Sequence, residues 1–412
     1  MTETLVPQHA AVDDTSAIWY RILCKVGLVY IYSRLCVLAG AAIVAAELQV
    51  DINQVKGMTD VPFPDPNIAN RALPASALGP ISDVLSSWDG IWYLRIVRIG
   101  YPRQVQENVT YFVADARAAF FPAYPMLVRF VDRVLPGGDT LAALFTNFVL
   151  GAVAIFLLGV LARQLYGEQV AAKAMVLGAM FPGSFVLSFA YTEALLLVLA
   201  MGCLWCLMSK RWVAAGLLAA LATATRPNGL ALVLACAVAA FMAIRSDREW
   251  KSLAAPILAP IGFIAFQLWL GHHTGEAGVW FRVQSEAWGE GASYGLTAIR
   301  KSIEAFTSPL TSSTNVITAA TVIAMAMMIY FARRRRLPLP MVAYVVGIIV
   351  LMLIPNTVTA RPRFLYTAFP LFISAGAFLH SDRRDWWPYV IGACSAGLVT
   401  LTALYGVFGA IP

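Results

Sequence analysis

Charge is scarce in this 412-residue chain: Asp, Glu, Lys and Arg make up 13% of it, against a hydrophobic share of 59% and a mean hydropathy of +0.71. Soluble globular proteins carry roughly a quarter charged residues, so an ordinary soluble enzyme and a disordered chain are both excluded. Cysteine is scarce too. The six present (Cys24, Cys36, Cys203, Cys206, Cys236 and Cys394) all fall in apolar stretches, which predicts no disulfides. Cys203-x-x-Cys206, inside an apolar helix, reads as two small packing residues. Of four histidines, the pair His272-His273 has no Asp, Cys or third His at ligand spacing, which argues against a metal centre there. The chain has no Asp-x-Asp pair and no glycine-rich phosphate loop. A soluble nucleotide or nucleotide-sugar substrate is therefore unsupported.

Apolar length is what the chain has. A membrane-spanning helix needs about 20 apolar residues, and lipid offers no partner to free backbone groups, so each span must be helical. Candidates fall near 19–46, 140–163, 169–188, 190–208, 211–226, 228–244, 253–271, 315–332, 339–355, 363–380 and 387–408. The expected fold class is thus an all-α polytopic membrane protein with about 11 spans. The first run, Ile18 to Leu48, is too long for a signal-peptide core and follows the acidic Asp13 and Asp14; it reads as an uncleaved anchor.

Net charge is +7 and the pI near 9.1, but the basic residues cluster between apolar segments rather than in a nucleic-acid-binding patch. One alternation puts Lys210-Arg211, Arg245/Arg248/Lys251, Arg333 to Arg336 and Arg383-Arg384 on the cytoplasmic side. The chain then reads as one membrane domain over 1–412. It comprises a first helix (19–48), a first outer loop (49–139), helices (140–271), a second outer loop (272–314) and further helices (315–412). The first loop includes the Pro-rich run Val61-Pro62-Phe63-Pro64-Asp65-Pro66. Residues 119–136 are apolar enough to dip into the membrane, but parity forbids a crossing, so a re-entrant or interfacial helix is expected. Only cytoplasmic charges set this orientation, yet the remaining polar and aromatic residues gather on the other face.

That face carries the candidate chemistry. Trp88, Trp92 and Ile96 recur every four residues, predicting an interfacial helix with an apolar stripe. Asp89 sits in its first turn, where amide dipoles favour a carboxylate. Ala118-Ala119-Phe120-Phe121-Pro122-Ala123-Tyr124-Pro125 reads as an interfacial anchor with aromatics at headgroup depth. Glu193 ends a span and Arg226 tips a tight helical hairpin; ionisable groups in such places need partners, water or a function. Arg226 suits either a carboxylate or a phosphate. Arg361-Pro362-Arg363 is a basic pair on the side where positive charge is avoided, and a phosphate at the surface explains it, since Arg is a forked, permanently charged donor.

Trp88-Asp89-Gly90-x-Trp92-Tyr93-x-x-Ile96-x-x-x-Gly100-Tyr101, followed by Ala119-Phe120-Phe121-Pro122-x-Tyr124-Pro125, resembles the signature of PIG-V-type mannosyltransferases, a GT-C group with bacterial members. The likeness continues at Ser188–Glu193, Ala224–Gly229, Phe281-x-x-Gln284-x-x-x-Trp288-Gly289 and Pro362-Arg363-Phe364-x-x-x-Ala368-Phe369-Pro370. It implies a multi-pass enzyme of the plasma membrane that takes a sugar from a polyprenyl-phosphate-linked donor on the extracytoplasmic side. The acceptor is a lipid or glycolipid, and no cofactor is implied. The family's catalytic acid lies in the first outer loop, which makes Asp89 the expected base. Arg361, Arg363 and Arg226 are then the expected donor-phosphate residues. Trp88, Trp92, Tyr93, Glu193, Trp280, Gln284 and Trp288 are the expected substrate contacts. The rival from composition is a lipid or glycolipid transporter, for which Arg34, inside the first span, is the one midplane charge. A pentose in place of mannose is the other alternative.

Overall fold

The computed structural model describes residues 8–54, 78–356, 361–381 and 385–408. The Pro-rich run 61–66 and Arg383-Arg384 lie outside the described residues. Helix α1 (Gln8–Gln54) is followed by three short helices of the first loop: α2 (Leu78–Leu85), α3 (Asp89–Ile99) and α4 (Ala123–Asp132). The bundle continues with α5 (Asp139–Tyr166), α6 (Glu168–Met180), α7 (Glu193–Met208), α8 (Trp212–Thr223), α9 (Ala231–Asp247), α10 (Ala254–Leu258) and α11 (Ile261–Thr274). The second loop holds α12 (Val279–Trp288) and α13 (Leu296–Thr307). Then come α14 (Ser313–Arg334), α15 (Leu339–Leu353), α16 (Pro362–Thr367), α17 (Pro370–Ser381) and α18 (Trp387–Gly406).

Each expected span has a helix, and six helical stretches among the described residues are long and apolar enough to cross a membrane. The chain is an integral membrane protein built from helices. Several apolar runs are interrupted or shorter as helices than their composition suggests. The run 169–188 stops as a helix at Met180, and Pro182–Leu187 turns as a 3-10 segment. The run 363–380 is two helices, with Pro370 opening the second. Residues 253–271 break at Ala259-Pro260. Proline removes a donor and clashes with the preceding turn, and apolar periodicity does not register such breaks. Residues 123–132 form a ten-residue helix, half the length of a span.

Arg34 explains how the chain tolerates one of these breaks. It is buried, and its guanidinium donates to the carbonyls of Ala179 (3.2 Å) and Ser184 (2.7 Å) and to the hydroxyls of Ser33 (3.2 Å), Ser184 (2.8 Å) and Ser188 (3.0 Å). A helix that ends inside a bundle leaves carbonyls without partners; Arg34 supplies them. This midplane charge therefore ties α1 to the end of α6, which removes the feature that favoured a transporter.

Among the described residues, the basic loops lie at the closing ends of α7, α9 and α14. Lys210 pairs with Asp247 at 2.6 Å, and the Tyr166 hydroxyl donates to the Arg336 carbonyl at 2.5 Å. Glu193 opens α7 and Arg226 precedes α9, so both stand a helix length away, at the other end.

Candidate active site

Asp89 is presented by an unusual turn. Trp88 has φ 57° and ψ −121°, in the region that favours glycine, a strain of roughly 1–3 kcal/mol that persists only when the surroundings over-determine it. They do: the Trp88 indole N–H donates to the Tyr405 carbonyl at 2.9 Å, and its ring packs against Phe408 with centroids 5.0 Å apart. Trp88 is thus a tether to the end of α18, outside the helix and outside the expected stripe. Asp89 is the first helical residue and the acid of the first turn of α3. At the far end of α3, Arg129 donates to the Ile96 (2.7 Å) and Val97 (3.0 Å) carbonyls, and Arg117 to the Gly100 carbonyl at 2.7 Å. Cations at a helix C-terminus satisfy orphan carbonyls and suit the dipole.

The expected interfacial stripe instead turns inward. Trp92, Ile96, Phe120, Phe121 and Tyr124 are all buried in protein. Pro122 and Pro125 lie at the start of α4, and these rings pack against protein beneath the second loop. Trp92 stacks on Phe120 and meets Tyr111 and Trp288 edge-on, with Arg95 over its face at 5.2 Å. From α12, the Trp280 indole N–H and the Gln284 amide donate to the Ala119 carbonyl at 2.9 and 3.4 Å. Those two residues clamp the loops together, while Trp288 forms the partly exposed rim of an aromatic lip.

Four of the five expected charged residues meet in one chain of contacts. Arg363 Nη1 pairs with Asp89 Oδ2 at 2.8 Å, and its Nε lies 3.7 Å from Glu193 Oε1. Arg226 closes an ion pair onto the same Glu193 oxygen. Glu193 is 1% exposed, whereas the Asp89 side chain is 24% exposed. Of the two carboxylates, only Asp89 is reachable from outside. Arg226 takes the carboxylate alternative of its sequence reading. Thr192 lies 3.4 Å from both Arg226 and the Tyr93 hydroxyl. Burial pushes the Tyr93 phenol upward, so it stays protonated.

Arg361 is the N-cap of α16, also buried. Burial, then the like charge of Arg363, pulls its pKa down to about 10.

Several contributors escaped the sequence reading. The guanidinium of Arg363 lies over Tyr191 and Phe364, at 5.4 and 5.1 Å. Asn147, buried on α5, donates its amide to the carbonyls of Phe189 and Tyr191 (2.7 Å for the latter), fixing the turn before Glu193. A lone Asn in an apolar span was the available signal. Gly183 is a third. A Cβ there would sit 2.4 Å from the Pro362 carbonyl oxygen and 2.9 Å from its carbon. That backbone carries Arg361 and Arg363, so Gly183→Ala is expected to shift α16, cost roughly 1–3 kcal/mol as overpacking and lower turnover. Thermal unfolding and turnover of the purified variant check both effects.

Fold and site define a polytopic helical membrane protein whose buried charges are concentrated at one end, under an aromatic lip. Residues 31–254, more than half of the chain, match the model of the mannosyltransferase (PIG-V) family, and the chain belongs to that family. Among solved structures, ArnT from Cupriavidus metallidurans bound to undecaprenyl phosphate is similar, at 15% identity over 73% of this chain and 56% of that one, with a TM-score of 0.48. The Archaeoglobus fulgidus oligosaccharyltransferase in the apo form is similar at 15% identity over 91% and 55%, with a TM-score of 0.43. The archaeal oligosaccharyltransferase AglB from the same organism, in complex with an inhibitory peptide and a dolichol-phosphate, gives 16%, 90%, 55% and 0.42. The chain spans little more than half the length of these structures. No curated protein matches it.

Proposed function

We propose that this protein is a membrane glycosyltransferase that moves a mannosyl residue from a polyprenyl-phosphate-linked donor to a lipid or glycolipid acceptor, on the extracytoplasmic face of the plasma membrane. The observation that carries the reading is the Asp89–Arg363–Glu193–Arg226 chain in a member of a mannosyltransferase family. Two of the similar structures hold undecaprenyl phosphate and dolichol-phosphate, which agrees with a lipid-phosphate donor.

In this account Asp89, the accessible carboxylate, takes the proton of the acceptor hydroxyl as its oxygen attacks C1 of the sugar. The C1–O bond to phosphate breaks, the electron pair leaves on the phosphate oxygen, and the anomeric configuration inverts. Arg363 and Arg361 hold the departing phosphate; fixed donors aimed at developing charge are a large catalytic contribution. Glu193 and Arg226 position Arg363 from behind. Trp288, with Tyr111, is the surface available for a sugar ring; Phe120, Trp92 and Tyr93 support it from within.

Labelled polyprenyl-phosphate mannose, supplied to the purified protein with membrane lipid extract, is expected to yield a labelled lipid without any nucleotide sugar. Absence of a product with this donor, alongside one with a nucleotide sugar, would reject the reading. Arg361→Gln is expected to raise the donor KM about tenfold or more, through loss of a charge-assisted phosphate contact, with less loss of stability than any change at Arg363. Because Arg361 is charged below about 10, donor KM should be flat through neutral pH and rise as pH passes that value. Steady-state kinetics with varied donor check both.

A further inference from the structure

A second polar feature lies at the end of the bundle away from Asp89. Trp387 opens α18 there, whereas Tyr405, near the close of the same helix, binds Trp88; at 1.5 Å per residue the two are about 27 Å apart. Between α1, α6 and the start of α18 runs a groove of about 430 Å³. Its walls are apolar, with Ile22, Val29 and Val176 among them. Its polar lining is Arg21, Lys25, Lys173 and Gln169, with no acid.

We infer that this groove binds a phosphate-bearing amphiphile, with its headgroup among Arg21, Lys25 and Lys173 and an acyl chain along the apolar wall. Arg21 and Lys25 are four residues apart on α1, so they share a face and repel each other. Neither has an acidic partner among the described residues. The nearest acid in sequence to the groove, Glu168, is taken by Arg163 at 2.8 Å. Lys173 is held in place: its ammonium donates to the Leu379 carbonyl at 3.0 Å and lies over the Trp387 ring at 5.0 Å. That fixes one cation at the base and leaves further N–H donors for a ligand. Three cations in a lining that holds no acid, at the end of a membrane-spanning bundle, suit an anion. The apolar walls add a requirement that a free anion does not meet. Basic residues at a membrane surface attract acidic lipid headgroups for the same reason.

Native mass spectrometry of the full-length protein in detergent tests this with three probes: phosphatidylglycerol, phosphatidylcholine and inorganic phosphate. Phosphatidylglycerol is expected to remain bound, phosphatidylcholine to dissociate, and inorganic phosphate to bind far more weakly than the anionic lipid. Arg21→Gln combined with Lys25→Gln should weaken phosphatidylglycerol by about tenfold or more without changing the unfolding temperature. Ala172→Phe, which fills the groove and keeps all three cations, should weaken it as well. Equal retention of both lipids, or unchanged binding in both variants, overturns the site. Inorganic phosphate binding as tightly as the lipid overturns the amphiphile.

Discussion

Asp89→Asn is expected to reduce sugar transfer by a factor on the order of 10² or more while the protein stays folded in the membrane. Asn has nearly the same size and shape as Asp, so the substitution leaves the packing of this corner largely intact. It accepts no proton at neutral pH, and a positioned general base contributes roughly 10²–10⁴-fold. The alternative, that Asp89 only caps its helix, predicts activity within a few-fold, because Asn and Asp are equivalent caps. Turnover of the purified variant, with its unfolding temperature, separates the two; near-normal turnover in a stable variant transfers the base role away from Asp89.

Arg363→Ala is expected to cost both stability and activity. Removing it leaves Asp89 without its 2.8 Å partner and Glu193 with Arg226 alone. Taking one member from a buried ion pair typically costs about 3–5 kcal/mol. Asp89 is partly exposed, so the loss falls mainly on the Glu193 side of the network. Turnover should fall by a further factor on the order of 10²–10³, the usual effect of losing one donor to a developing oxyanion. Arg363→Lys should recover stability better than turnover, because an ammonium keeps the charge but not the fork that reaches two acids at once. Unfolding temperatures and kinetics of both variants are the check. An Arg363→Ala protein of normal stability and turnover would remove Arg363 from the site.

The spans and the charged residues of the site were legible in the sequence for one reason. Apolar runs and basic loops fix which end of a helix each ionisable group occupies, and Asp89, Glu193, Arg226 and Arg363 were left on one side. Their pairing was not legible, since Arg226 suited a phosphate as well as a carboxylate until Glu193 was seen beside it. Trp92 and Phe121 were misassigned to the membrane surface because hydrophobicity does not distinguish a lipid-facing ring from one packed on protein. Trp88 was counted on a helical stripe because periodicity assumes helical backbone, and its φ of 57° takes it off. Arg34 looked like a midplane charge in search of a function. Its partners are the carbonyls of a helix end that apolar composition had extended past Met180.

The most direct test of the central claim is the anomeric configuration of the product. Purified protein is given polyprenyl-phosphate mannose carbon-labelled at C1, and the glycosidic linkage formed is read by NMR. Single displacement with Asp89 as base predicts that every linkage is opposite in configuration to the donor phosphate ester, and that Asp89→Asn forms almost none. A product of retained configuration, or one formed equally well by Asp89→Asn, would contradict the account.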